Sequence, residues 1–295
     1  MINQNIQFFI GKGGVGKSTV SALRALGAAN SGTDTLLISL DPAHNQKDIF
    51  ELNFSDKAIK VSENLHIIEP DIDLWVKKYL KDAEEKLQGN YHYHQAFSLK
   101  NYFKVLKYAP AVEEYAMLMA FSHYLEQFKS KQQVIVDMPP TALSLRFFAL
   151  PGLSLKWLEQ LIQLRLAIQE KKEIISKIKF GNKELETDKV LLQLNMLNKS
   201  YLDLYSIFNA PNSKIYVVAN PENLSLNEAE RIIKKMQDIE LNISGIILNK
   251  TTNQMEISSK RLTFSQLEIS RFKLSNSHLI GLESLNAYLN QFNID

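Results

Sequence analysis

Residues 8–26 read FFIGKGGVGKSTVSALRAL and give the strongest indication of the fold of this chain. The apolar run at residues 6–10, just before the glycines, is typical of a buried parallel strand. After the glycines, Val20, Leu23 and Leu26 recur at the spacing of one helical face. Four of the chain's eleven glycines therefore lie at a predicted turn between a strand and a helix.

This turn matches the phosphate-binding pattern G-x-x-x-x-G-K-[ST] in full. Glycines let backbone N–H groups surround a phosphate, and the helix that follows offers unpaired N–H groups and the positive end of its dipole. A turn that only caps a helix is the alternative, and the joint occurrence of strand, motif and helix disfavours it. Lys17 would reach the β- and γ-phosphates, and Ser18 would ligate Mg²⁺. The predicted nucleotide-binding residues here are Gly11, Lys12, Gly13, Gly14, Val15, Gly16, Lys17, Ser18 and Thr19.

Lys12 is a second lysine in the loop, and the phosphate-binding pattern does not require it. It is either a solvated charge on an exposed loop or a cation that reaches a nucleotide held by a facing copy of the chain. The pattern K-G-G-x-G-K-[ST] resembles that of dimeric ATPases of the septum-site, chromosome-partitioning, nitrogenase-reductase and arsenite-pump groups. The second interpretation therefore predicts a dimer.

Two aspartates follow apolar runs that we predict to be strands. Residues 35–40 lead to Asp41, and residues 133–136 lead to Asp137. A carboxylate at the end of a parallel strand lies on the ligand side of an open α/β sheet. Asp41 would orient or deprotonate the attacking water, although an ordinary Asp-Pro turn is the alternative. Asp137 would hold Mg²⁺ through water.

Two more strands are predicted near residues 215–219 and 243–248. The first leads through Asn220-Pro221-Glu222 into a helix that Ser225 would cap. The second ends at Asn249, whose side chain has both a donor and an acceptor and could pair with an adenine edge. An asparagine at this position could also be a simple turn residue.

Seven segments, in unchanged order, resemble the family that contains the arsenite-pump ATPase and the tail-anchored-protein targeting ATPase. DPAHN matches its switch I, and DMPPTALSLRFFALP resembles its switch II. The segments are GKGGVGKST (11–19), DPAHN (41–45), APAVEEYAMLMAF (109–121), DMPPTALSLRFFALP (137–151), NPENLSLNEAERII (220–233), IILNK (246–250) and GLESLNAYL (281–289).

The resemblance implies a homodimer with two nucleotides at its interface, in which Lys12 contacts the partner's site. It implies that Asp41 acts in catalysis, that Asn45 and Glu222 contact nucleotide and that Asn249 reads adenine. Switch II departs from the family: Met138-Pro139 replaces Thr-Ala, and Ala142-Leu143 replaces Gly-His. The loss of that glycine puts the coupling between hydrolysis and opening in doubt.

Two segments, at about 71–130 and 151–210, have no strong strand pattern and carry leucines at helical spacing. We expect them to form a helical subdomain inserted in one P-loop ATPase domain that spans residues 1–295. Their apolar faces could pack on one another as a bundle, or one face could form an exposed groove for an apolar helix. The expected fold is α/β, a doubly wound and mainly parallel sheet of the P-loop NTPase type.

Composition narrows the possible functions. Lys and Arg number 34 against 32 Asp and Glu, so no nucleic acid is expected as a partner. The chain has no cysteine, which excludes the zinc clasp, the arsenite site and the iron–sulfur cluster of related ATPases, and favours a cytoplasmic protein. We recognised neither a signal peptide nor a membrane span.

Three functions fit these observations. The first is a Mg²⁺-dependent ATP hydrolase that works as a carrier for hydrophobic membrane segments of the tail-anchored type, with a transient membrane-protein partner. The second is the ATPase subunit of an arsenite-type anion pump, which the absence of cysteine disfavours. The third is a partitioning ATPase at a membrane surface, which the nearly uncharged C-terminal segment disfavours.

Overall fold

The computed structural model describes residues 4–90, 109–180, 188–252 and 267–292. In this part of the chain, eight strands form one sheet in the order β3-β4-β2-β5-β1-β6-β7-β8. Every neighbouring pair is parallel except the β3–β4 hairpin. The strands are β1 Asn5–Ile10, β2 Thr35–Ser39, β3 Ile59–Ser62, β4 Leu65–Ile68, β5 Gln133–Asp137, β6 Ser213–Ala219, β7 Gly245–Thr251 and β8 Glu268–Lys273.

Helices cover both faces of the sheet, so the predicted doubly wound α/β fold is confirmed. The helices are α1 Lys17–Asn30, α2 Asn45–Phe50, α3 Ile72–Asn90, α4 Val112–Gln127, α5 Thr141–Phe180, α6 Lys189–Phe208, α7 Asn223–Asp238 and α8 Gly281–Phe292. One buried apolar cluster joins α1, α2 and α8 to one face of the sheet. A second cluster joins the five helices from α3 through α7 to the other face.

Strand β1 shows how the sequence builds this layered core. Adjacent side chains of a strand point to opposite faces, so Phe8 and Phe9 enter different clusters. The Phe8 ring contacts Phe148 at 5.1 Å and Phe208 at 5.7 Å between centroids, in edge-on geometry. Such aromatic pairs add about 0.5–1.5 kcal/mol beyond burial of area. The central strand is thereby fixed between two helical layers.

The strands predicted from apolar runs are β1, β2, β5, β6 and β7. Each is confirmed within two residues at either end, except that β7 continues three residues beyond its predicted end, to Thr251. Three strands were not predicted. The hairpin β3–β4 has only four residues in each strand, and β8 lies at the sheet edge with a mostly polar sequence. Short or polar edge strands give a weak apolar pattern, which explains why the sequence did not reveal them.

Helix α5 joins the sheet to the second helical segment. It runs for 40 residues without a break at Pro151, so the segment predicted to begin at 151 begins inside a helix that starts at Thr141. It packs against α6. The side chain of Arg165 bonds both carboxylate oxygens of Asp188, at 2.7 and 3.1 Å, which ties the two helices together. Within the described ranges, no helix is both long and apolar enough to cross a membrane.

Candidate nucleotide site

The order of the central strands brings the predicted site residues together. Strand β1 leads into the glycine loop, its neighbour β5 ends at Asp137, and β2 on the far side of β5 ends just before Asp41. In register, Asp137 pairs with Phe9 on one side and Ser39 on the other. The carboxyl ends of adjacent parallel strands thus meet at one edge, which is where ligands bind in open α/β sheets.

Close contacts explain two of the loop glycines. A Cβ on Gly11 would lie 2.4 Å from the carbonyl oxygen of Val218, and a Cβ on Gly16 would lie 2.3 Å from Nδ2 of Asn249. Gly16 also has φ +90°, a conformation that side chains rarely adopt. Gly13 has open space around it, so packing within this chain does not demand its lack of a side chain. Its approach to a phosphate stays a prediction.

The two lysines of the loop differ in exposure. Lys17 begins α1 and is 5% exposed, whereas Lys12 is exposed. Lys17 lowers the pKa of the Asp137 carboxyl, and Asp41 raises it, so all three charges act within one site. A buried ammonium beside two carboxylates suits a site for phosphate and a metal ion.

Asp137 is completely buried, and that burial raises its pKa to about 6. The nearby side chains of Ser18 and Gln46, and the charge of Lys17, act in the opposite direction. One carboxylate oxygen, Oδ1, is buried and has no hydrogen-bond partner among the described residues. A buried acceptor without a partner is costly unless a ligand satisfies it.

These groups fit Mg²⁺. In the described part of the chain, no three acidic or histidine side chains gather as a metal site. Mg²⁺ does not need such a cage, because it keeps waters and binds one or two protein groups together with substrate phosphates. The Ser18 hydroxyl and the unpartnered Asp137 oxygen supply that small set.

Asp41 is 7% exposed and its carboxylate organises the turn that follows it. Oδ1 accepts a hydrogen bond from the Ala43 N–H at 3.1 Å, and Oδ2 accepts one from Asn45 Nδ2 at 3.4 Å. His44 takes a left-handed conformation at the start of α2. Asn45 is therefore bonded to Asp41 in this structure, and the predicted nucleotide contact of Asn45 stays a prediction.

Asn249 lies near the carboxyl end of β7, and Glu222 lies just after the neighbouring strand β6. Their local contacts differ. Asn249 is 8% exposed, and its Nδ2 donates to the Val15 carbonyl at 2.8 Å, which braces the glycine loop. No donor among the described residues bonds its Oδ1, and the predicted contact with adenine stays a prediction. Glu222 is exposed and immediately precedes α7.

The prediction that Ser225 caps α7 is wrong. The helix begins at Asn223, and the capping position belongs to Glu222. Ser225 lies inside the first turn, where its Oγ accepts a hydrogen bond from the Asn220 N–H at 2.9 Å. A serine hydroxyl can accept a hydrogen bond from a preceding backbone N–H either at the capping position or inside the first turn. Residue type alone does not distinguish these two positions.

Two residues of the site were not predicted. Gln46, directly after DPAHN, is fully buried, and its Nε2 lies 3.0 Å from Asp137 Oδ2. Glu69, directly after β4, accepts hydrogen bonds from the N–H groups of Gln46 and Lys47 at 2.8 and 3.2 Å. Burial raises the pKa of Glu69, and these two N–H groups partly oppose the rise. Glu69 follows a strand that the sequence did not reveal, and Gln46 follows a recognised motif that could have drawn attention to it.

Most of the segment that resembles switch II, residues 137–151, lies inside α5, and only residues 138–140 separate β5 from that helix. Met138 is buried, and the Ser144 hydroxyl donates to the Pro139 carbonyl at 2.6 Å. Arg146 in the second turn of α5 pairs with the buried carboxylate of Glu114 on α4 at 2.5 Å. The segment after Asp137 is thus connected to two long helices.

Comparison with known proteins agrees with this geometry. The sequence model of a family described as "Anion-transporting ATPase" matches residues 4–292. The "ATPase ASNA1 homolog" of Plasmodium vivax is 29% identical over 97% of this chain and 81% of its own length. The protein of the same name from Entamoeba dispar is 26% identical over 97% of this chain and 92% of its own length. The "Putative arsenical pump-driving ATPase 1" of Aquifex aeolicus is 25% identical over 88% of this chain and 66% of its own length.

Proposed function

The chain belongs to the anion-transporting ATPase family and hydrolyses ATP, and from this premise we propose that it is a nucleotide-switched carrier of apolar helices. It works as a Mg²⁺-dependent homodimer whose two nucleotides lie at the interface. The clients are hydrophobic membrane segments of the tail-anchored type, which a membrane-protein partner receives.

The proposed roles in hydrolysis follow the placement of the side chains. Lys17 balances negative charge on the β- and γ-phosphates, and the loop N–H groups surround them. Asp41 orients the attacking water and accepts its proton. Ser18 and Asp137 would hold Mg²⁺, which would supply positive charge for the phosphate oxygens. Lys12, which is exposed, serves the site of the second subunit.

The proposal of a carrier rests on one observation, the exposed apolar surface of two helices. Helices α5 and α6 expose large apolar side chains over much of their length, with Trp157 71% and Met196 69% exposed. Such a surface is typical of a binding site for apolar ligands, and flexible side chains such as Met accommodate varied sequences. The exposed residues are Leu153, Trp157, Leu161, Leu164, Leu166, Ile168, Leu192, Met196, Leu197 and Leu202.

The same helix that carries this surface also begins at the nucleotide site. Thr141, its first residue, lies four positions after Asp137, and the helix then runs without interruption to the apolar surface. A change at switch II would therefore move the apolar helices as a rigid element. This connection supports control of client binding by nucleotide state.

The experiment measures how much of a labelled transmembrane-helix peptide the purified protein keeps in solution with ATP, ADP or no nucleotide. We expect retention with ATP and release after hydrolysis. The double variant Trp157→Ser/Met196→Ser should lose most of the retention. The matched control is Leu274→Ser, which removes an apolar side chain that is 49% exposed on the segment after β8 and should retain the peptide.

Failure to retain the peptide in any nucleotide state would contradict the carrier function. Stimulation of ATP hydrolysis by arsenite, without peptide retention, would instead favour an anion pump, as the name of the Aquifex aeolicus relative suggests.

A further inference from the structure

The side chain of Gln46 lies at a junction between three parts of the nucleotide site. Its Nε2 is within hydrogen-bond distance of the Ser18 carbonyl at 3.0 Å, of Ser21 Oγ at 3.2 Å and of Asp137 Oδ2 at 3.0 Å. Ser18 and Ser21 belong to α1, Asp137 ends β5, and Gln46 itself is on α2. One amide thus connects the loop helix, the strand with the metal-binding aspartate and the helix after switch I.

The orientation of this amide is determined by its surroundings. The Ser18 carbonyl and the Asp137 carboxylate are acceptors only, so they require the N–H₂ group and would repel Oε1. The backbone of Gln46 is fixed as well, because its N–H donates to Glu69 Oε1 at 2.8 Å. The position of the side chain is therefore set at both of its ends.

Two acceptors in this junction have no partner among the described residues. They are Oε1 of Gln46 and Oδ1 of Asp137, and both are buried. The two side chains that carry them are hydrogen-bonded to each other through Nε2 and Oδ2. Buried acceptors require donors, and the waters around Mg²⁺ are strong donors because the cation polarises them.

We propose that Gln46 is a positioning residue of the magnesium site. Its amide binds one oxygen of Asp137 and leaves the other for water bound to Mg²⁺, while its own Oε1 accepts from a second such water. Outer partners of this kind orient a ligand and typically contribute 10–100-fold to metal affinity. Because α2 follows switch I directly, the same amide links the presence of Mg²⁺ to the position of the Asp41 turn. This inference rests on the proposed Mg²⁺ dependence.

The test compares binding of a non-hydrolysable ATP analogue in Mg²⁺ and in EDTA by calorimetry. The variant Gln46→Met keeps the length of the side chain and removes both polar atoms. We expect the affinity gained from Mg²⁺ to fall by about tenfold, whereas binding in EDTA changes by less than about twofold. A purely structural role would weaken binding equally in both conditions.

The matched control is Gln133→Met at the opposite end of β5. Gln133 is also a buried glutamine, at 8% exposure, and its Nε2 also lacks a partner in the described part of the chain. Its replacement should leave the Mg²⁺ effect unchanged. Gln46→Asn, which keeps an amide one methylene short, should lose Mg²⁺ affinity to a smaller degree, and it decides the question if Gln46→Met does not fold.

Three results would overturn the inference: an unaltered Mg²⁺ effect in the Gln46 variants, an equal loss in EDTA, or unfolding of both variants while Gln133→Met folds. Failure of the proposed function is separable from these results. If the unaltered protein bound nucleotide equally well with and without Mg²⁺, the Mg²⁺ dependence itself would be wrong.

Discussion

At the scale of single residues, we propose that Asn249 connects base recognition to the phosphate loop. Its Nδ2 holds the Val15 carbonyl, and its amide lies where a Cβ on Gly16 would be. Its Oδ1, which no described residue bonds, would accept from the amino group of adenine, which guanine does not offer at that position. One side chain therefore contributes to the affinity for every nucleotide and to the preference for adenine.

Replacement of Asn249 separates these contributions. We expect Asn249→Ala to weaken ATP binding by about tenfold or more, since each lost hydrogen bond corresponds to about 0.5–1.5 kcal/mol. GTP binding should weaken less, because only the loop contact is lost. Fluorescence titration with both nucleotides measures the two effects.

The control for this substitution is Asn64→Ala. Asn64 Nδ2 also donates to a backbone carbonyl, that of Ala29 at 3.2 Å, but at the far end of α1. The Asn64→Ala variant should bind ATP and GTP as tightly as the unaltered protein. Equal losses of ATP and GTP affinity in Asn249→Ala would mean that Asn249 holds the loop and does not recognise adenine.

The sequence predicted most of the residues that the structure brings together at this edge of the sheet, because motifs assign residue types to fixed positions. The spacing of the glycine loop placed Lys17 and Ser18, and apolar runs placed Asp41 and Asp137 at strand ends. Gln46 and Glu69 escaped this reasoning because they act through contacts distant in sequence, 91 residues apart for Gln46 and Asp137. No local pattern encodes such a contact.

At the scale of elements, α2 is a helix that depends on its surroundings. It has six residues, too few to be stable alone. The buried carboxylate of Glu69 accepts the N–H groups of its first turn, and Asp48 adds a favourable charge there. The position of switch I is therefore maintained from β4, outside the nucleotide-binding motifs.

We expect Glu69→Ala to destabilise the protein by about 1–3 kcal/mol, because two buried N–H groups lose their acceptor. Amide hydrogen exchange of Gln46 and Lys47 should accelerate, and urea unfolding gives the loss in stability. Glu63→Ala, at an exposed position of the same hairpin, should change neither. Unchanged protection of both amides in Glu69→Ala would contradict this account of α2.

At the scale of the whole molecule, the exposed Lys12 raises the question of whether each nucleotide site is built from one subunit or from two. Lys17 occupies the buried position beside Asp137, so Lys12 has no place in the interior of its own site. In the proposed homodimer it reaches the nucleotide of the second subunit, and each site is complete only when two copies meet. In a self-sufficient subunit, Lys12 would be an ordinary surface charge.

A complementation assay tests whether Lys12 of one subunit acts in the nucleotide site of the other. Lys12→Ala should lose hydrolysis while it retains ATP binding, and Asp41→Asn should bind ATP without turnover. In a mixed dimer, the site with an intact Asp41 receives Lys12 from its Asp41→Asn partner and is complete.

The measurement is the ATPase rate of the two variants alone and after equimolar mixing. Roughly a quarter of the unaltered rate should return on mixing, because half of randomly paired dimers are mixed and each has one complete site of two. Full activity of Lys12→Ala alone, or a mixture as inactive as its components, would contradict a lysine shared between two subunits.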